Sequence, residues 1–138
     1  MTAAPYLVHH LLESREGDED RIALIDGDRS LSYRGFAQLV ARCAASLRAN
    51  GLSRGDRVAI VLPKCIEECW AILGVSRAGG VFVPVNSILR APQIRHIVED
   101  SGARIVICSR ALFGSVSEAL AGLERLTILC AEAIEETS

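Results

Sequence analysis

Lysine is nearly absent from this sequence. Lys64 stands alone and arginine supplies the other basic charges. With no basic block and a formal net charge of −2, a nucleic-acid partner is not expected. Long hydrophobic runs are missing too, and none reaches the roughly 20 apolar residues that span a bilayer. The opening MTAAPYLVHHLLESREGDED has no basic start and turns acidic quickly, so it does not read as a secretory signal. Two phosphate-binding patterns are also absent: G-x-G-x-x-G and G-x-x-x-x-G-K-[ST]. Neither an internal repeat nor a low-complexity tract occurs.

Half of the 138 residues are hydrophobic, enough for one compact domain with a real core. Aromatics are scarce, so aliphatic side chains must fill that core. The five cysteines are Cys43, Cys65, Cys69, Cys108 and Cys130. An odd count with no leader points to free thiols in a reducing compartment, the cytoplasm. Cys65 and Cys69 would share a helix face, which raises a metal site. His9, His10 and His96 form no ligand motif with them, and the other cysteines sit in apolar runs. Small buried hydrophobes are the better reading.

Local patterns divide the chain. Residues 6–15, YLVHHLLESR, read as a helix with Leu7, Leu11 and Leu12 on one face. Ile22–Ile25 and Leu31–Tyr33 flank Asp26-Gly27-Asp28-Arg29, the mark of a hairpin. Phe36, Leu39, Val40, Cys43, Ala44 and Leu47 then form one stripe of an amphipathic helix, with Ser32 as N-cap and Gly51 as the residue that ends it. Gly35 stands where a glutamate would complete a capping box.

From Gly55 strands and helices alternate. RVAIVLP (57–63), VFVPV (81–85), ARIVICS (103–109) and LTILC (126–130) read as strands. CIEECWAILGVSRA (65–78), PQIRHIVEDSG (92–102) and residues 111–121 read as helices. Near-continuous apolar strands alternating with helices predict a parallel sheet covered on both faces, behind an N-terminal hairpin. The closing AEAIEETS shows no evident element to cap the sheet.

Gly79 and Gly80 look at first like a phosphate loop. Such loops run strand, glycines, helix, so that the positive helix end meets the anion. Here the order is reversed: the glycines end a helix and precede a strand. They are expected to stop that helix and allow a tight turn. Lys64 follows a strand end, where ligands gather in parallel sheets, yet a lone lysine after proline reads as a solvated loop residue. His96 faces away from Ile94, Ile97 and Val98. Asp26 and Asp28 are turn residues. Glu67 and Glu68 are adjacent and cannot face one point as paired carboxylates do.

The order of the pieces is more specific than any one of them. LSY at 31–33 opening a helix, GDRVAIVLP at 55–63, RAGGVFVPVN at 77–86 and EDSGARIVIC at 99–108 resemble the N-terminal part of the AMP-forming adenylating enzymes. The resemblance covers about residues 6–110 and is nearest to acyl-CoA ligases, with a weaker likeness to the group associated with exosortase systems. Gly35 and Ser87 depart from the family pattern, which usually has an acidic residue and a proline there.

That resemblance implies an α/β fold and a reaction that joins a small carboxylic acid to a thiol, through an acyl adenylate made from ATP. It implies ATP, Mg2+ and CoA for the full-length enzyme, with a role in fatty acid metabolism. The family's Ser/Thr/Gly-rich loop ending in lysine, its magnesium-binding glutamate, its ribose-binding aspartate and its catalytic lysine have no counterpart here. GSVSEALAG at 114–122 is the nearest in composition to that loop and has no lysine. Residues 1–138 are therefore expected to be an incomplete N-terminal segment, with the rest of its own polypeptide as its partner. No residue of this chain is assigned a catalytic, cofactor-binding or metal-binding role, and tight ATP binding is not expected. A freestanding doubly wound binding or regulatory module and an inactive truncated product remain as alternatives.

Overall fold

Asp26-Gly27-Asp28-Arg29 turns as its Asp-Gly pair predicts. β1 (Ile22–Asp26) and β2 (Arg29–Ser32) pair antiparallel with Asp26 opposite Arg29, and Gly27 takes a φ of 62°. The computed structural model describes residues 7–13 and 17–137. After the hairpin come α2 (Tyr33–Ala49), β3 (Arg57–Leu62), α3 (Ile66–Arg77), β4 (Val81–Asn86), α4 (Ala91–Ser101), β5 (Ile105–Cys108), α5 (Arg110–Ala119), β6 (Thr127–Cys130) and α6 (Ala131–Glu135). A short α1 (Val8–Glu13) precedes the hairpin.

β3 to β6 form one parallel sheet in the order β4-β3-β5-β6. Period-two alternation sends Val58, Ile60, Leu62, Ile105 and Ile107 to one face, against α2, α3 and α6. Ala59, Val61, Val85, Val106 and Cys108 face the other way, against α4 and α5. This is why β3 and β5 read as unbroken apolar runs: both of their faces are covered. Each fully buried isoleucine among them contributes about 1.5–3 kcal/mol relative to exposure.

Caps behave as the sequence reads. Ser32 Oγ accepts the amide of Gly35 at 3.1 Å, and Gly51 and Gly102 adopt positive φ after α2 and α4. Gln93 supplies a return contact at the start of α4, where its Oε1 accepts from Arg90 N at 2.9 Å. α2 lies against α3 at a close crossing where Gly74 faces Cys43.

Two expectations need correcting, and the sheet adds an edge strand that the sequence had not placed. The chain does have a terminal element: α6 follows β6 directly, burying Ala131 and Ile134 beside α2. Only those two residues of α6 are buried, too few to stand out amid the acidic tail. β4 is an edge strand, with Val81, Phe82 and Pro84 exposed. Pro84 has no N–H to give a further strand, and edges are where such a residue is tolerated. On α1, Leu7 and Leu11 are exposed, Leu12 alone of the three packs on the core, and His9 is buried. A hydrogen bond decides that rotation: His9 Nδ1 lies 2.8 Å from Ser76 Oγ on α3. Tyr6, Ser14 and Arg15 of the predicted helix lie outside the described residues.

Candidate functional site

In an open parallel sheet the crevice for ligands lies at the carboxyl edge, where the connections leave toward opposite faces. Strand order places that point between β3 and β5: α3 leaves β3 for one face, and α5 leaves β5 for the other. Pro63, Lys64 and Cys65 follow β3, and Ser109 follows β5.

Both helix N-termini at this crevice are already supplied with anions from the chain itself. α3 carries Glu67 and Glu68 in its first turn. At α5, Ser109 Oγ accepts the Leu112 amide at 3.2 Å, and Glu132 Oε2 accepts the Arg110 amide at 2.5 Å. The positive helix ends that would attract phosphate are thus neutralised internally.

Beside the crevice sits a charge network. Arg29 on β2 donates to both carboxylate oxygens of Glu67, at 2.6 and 3.0 Å, and to Asp26 Oδ2 at 3.0 Å. The Arg29 bond holds the Glu67 carboxyl at about 2, far below the usual range. Trp70 Nε1 donates to Glu135 Oε1 at 3.3 Å. Burial, then the nearby Glu67, pushes the Glu135 carboxyl up.

Lys64 is exposed at the mouth of a depression of about 180 Å³ between the hairpin and the start of α3, lined by Leu24, Ile25, Asp26, Cys65, Ile66 and Cys69. Cys65 and Cys69 share the inner side of α3 and are half-buried against the core. Burial raises the Cys65 thiol to about 11, so it is a neutral thiol near pH 7. His96 is exposed on α4, and Asp28 sits in the hairpin turn.

Gly79 and Gly80 lie at the opposite, amino edge of the sheet, before β4. Gly79 has a φ of 88° and ends α3. The carbonyls there do not point free. Gly79 O accepts from Gly55 N at 2.8 Å, and Arg77 O accepts from Arg48 at 2.8 Å. GSVSEALAG runs through α5 as helix as far as Ala119, so it forms no open loop around an anion.

Sequence reading missed the Arg29–Glu67 pair and the reach of Glu132 and Glu135. Each links positions far apart in the chain, and no local pattern marks them. The Trp70 indole was the one visible signal, because a buried indole N–H must find an acceptor.

Residues 11–137 match the AMP-binding enzyme family. The chain belongs to that family. It is 37% identical over 116 residues to a 4-hydroxybenzoate–CoA/benzoate–CoA ligase of Rhodopseudomonas palustris, covering 84% of this chain and 22% of that protein. A long-chain-fatty-acid–CoA ligase, FadD13 of Mycobacterium tuberculosis, is 40% identical over 80 residues, 58% of this chain and 16% of its own length. The crystal structure of a benzoate CoA ligase from Burkholderia xenovorans LB400 superposes with a TM-score of 0.85 at 26% identity, covering 94% of this chain and 28% of that one. The chain thus spans 16% to 28% of these AMP-binding relatives. LSY, GDRVAIVLP and RAGGVFVPVN pointed to this family, and its fold is the one observed. No helix among the described residues is long and apolar enough to cross a membrane.

Proposed function

We propose that this chain is the front segment of an AMP-forming acid–thiol ligase. The whole enzyme activates a carboxylic acid with ATP as an acyl adenylate and passes the acyl group to coenzyme A. The observation that carries this reading is the family match over residues 11–137. The names of the relatives support an aromatic or long-chain acid as substrate. Free cysteines throughout the chain favour a cytoplasmic setting.

The segment alone acts as scaffold. Adenylation passes through a highly negative phosphorus centre and needs magnesium plus aligned cations or N–H donors. The residues at the carboxyl edge do not fit Mg2+ and a triphosphate. Glu67, Glu68 and Glu132 already hold the helix ends, and Arg29 is committed to Glu67 and Asp26. The ATP-binding parts belong to the remainder of the polypeptide, which is the partner of this segment.

Pyrophosphate release measured with the purified 138-residue chain, ATP, Mg2+ and benzoate or a long-chain fatty acid is expected to stay at background. Turnover by the chain alone would overturn the scaffold reading. A reading frame that stops after Ser138 would overturn the assignment to a longer enzyme.

A further inference from the structure

We propose that α1 carries a binding site for one zinc-like divalent metal ion, with His9, His10 and Glu13 as ligands. Each of the three offers one ligand atom, and these atoms lie within 4.8 Å of one another. His9 and Glu13 are four apart on the helix and so share a face. His10 joins them from the next position, its ring centroid 4.2 Å from that of His9 with the planes 54° apart. Zinc bonds of about 2.0–2.1 Å in a tetrahedral site set neighbouring ligand atoms about 3.3 Å apart, a closure of at most about 1.5 Å.

The surroundings of His9 are those of an oriented ligand. His9 and Ser76 are the buried polar residues among those described, and they bond at 2.8 Å through Nδ1. In the tautomer that carries the proton on Nδ1, the ring donates to the Ser76 hydroxyl and keeps a lone pair on Nε2 for a metal. Such a partner on the far nitrogen is what metal-binding histidines generally have.

Among the described residues, the contacts of the other two ligands are weak. His10 Nδ1 accepts from Leu7 N at a long 3.3 Å, which places its proton on Nε2. Ligation through Nε2 moves that proton to Nδ1 and gives up this bond. Glu13 faces Arg77 at 3.7 Å, with both side chains well exposed. Two imidazoles and one carboxylate suit zinc and leave a fourth position for water. The site is independent of the ligase reading and lies away from the carboxyl edge.

The test is zinc titration of the tag-free 138-residue chain under reducing conditions, by calorimetry and thermal melting. One ion per chain and a metal-dependent rise in Tm are expected. His10→Ala and Glu13→Gln, both at surface-accessible positions, are each expected to weaken binding at least tenfold while leaving the metal-free Tm close to that of the parent. Cys65→Ser/Cys69→Ser is expected to bind zinc as the parent does. Absence of saturable uptake, or uptake that survives both α1 substitutions, overturns the site. Uptake lost only in the double cysteine variant places the ion on thiols and overturns it as well.

Discussion

Arg29 and Glu67 stand 38 residues apart in sequence and are joined by two hydrogen bonds, 2.6 and 3.0 Å long. They tie the hairpin to the first turn of α3. Arg29 is half exposed, so solvent screening limits the pair to about 1 kcal/mol despite its two-point geometry. Glu67→Gln is expected to lower unfolding free energy by about that amount. The pH dependence has a definite sign. Glu67 has its folded pKa depressed to about 2 from the ordinary 4.5. Its stabilisation is complete above pH 4.5 and is lost as pH falls toward 2. Urea unfolding of parent and Glu67→Gln from neutral pH down to the acid limit should show the two curves converging.

Gly74 allows α2 and α3 to approach. A Cβ added there would lie 2.5 Å from both Cβ and Sγ of Cys43. Gly74→Ala gains about 1 kcal/mol in helix propensity. Overpacking costs about 1–3 kcal/mol and wins, because the Cys43 Cβ is fixed to the backbone and cannot rotate away. A net loss of up to about 2 kcal/mol is expected in urea unfolding. Adding Cys43→Ala should not restore it, since alanine keeps the Cβ.

Gly79 is required by conformation and not by space. The nearest atoms to an added Cβ are 3.8 Å away on Arg54, whereas φ is 88°. Gly79→Ala is expected to cost about 1–2 kcal/mol, and Gly79→Asn less, because asparagine tolerates the left-handed region. Equal losses for the two variants would contradict this account.

The buried thiols should be inert. Burial raises Cys43 and Cys108 to about 12. Since the thiolate is the reactive species, neither should be alkylated by iodoacetamide at pH 8 in the folded protein. Mass spectrometry is expected to find both labelled only after denaturation. Rapid native labelling of Cys43 would mean that α2 separates from α3.

Much of the architecture was legible because it is written in short-range pattern. The stripe from Phe36 to Leu47 gave α2, and Asp26-Gly27 gave the hairpin. The apolar runs of β3 and β5 gave strands buried on both faces. Reversed order around Gly79-Gly80 correctly read as a helix end. The candidate site was less legible. Lys64 was placed at a strand end, but Glu67 was weighed only against Glu68 and not as the partner of Arg29.

Composition, periodicity and turn chemistry thus settled most of the element order and the parallel sheet, while the resemblance carried by the ordered motifs pointed to the family. Those properties depend on residues within a few positions of one another. Folding in three dimensions decided the rest. It made β4 an edge, turned His9 inward to Ser76, and brought α6 back to close α5 with Glu132. Each depends on which distant groups meet once the strands are ordered. Buried polar atoms and helix ends take the nearest suitable partner in space, whatever its distance along the chain.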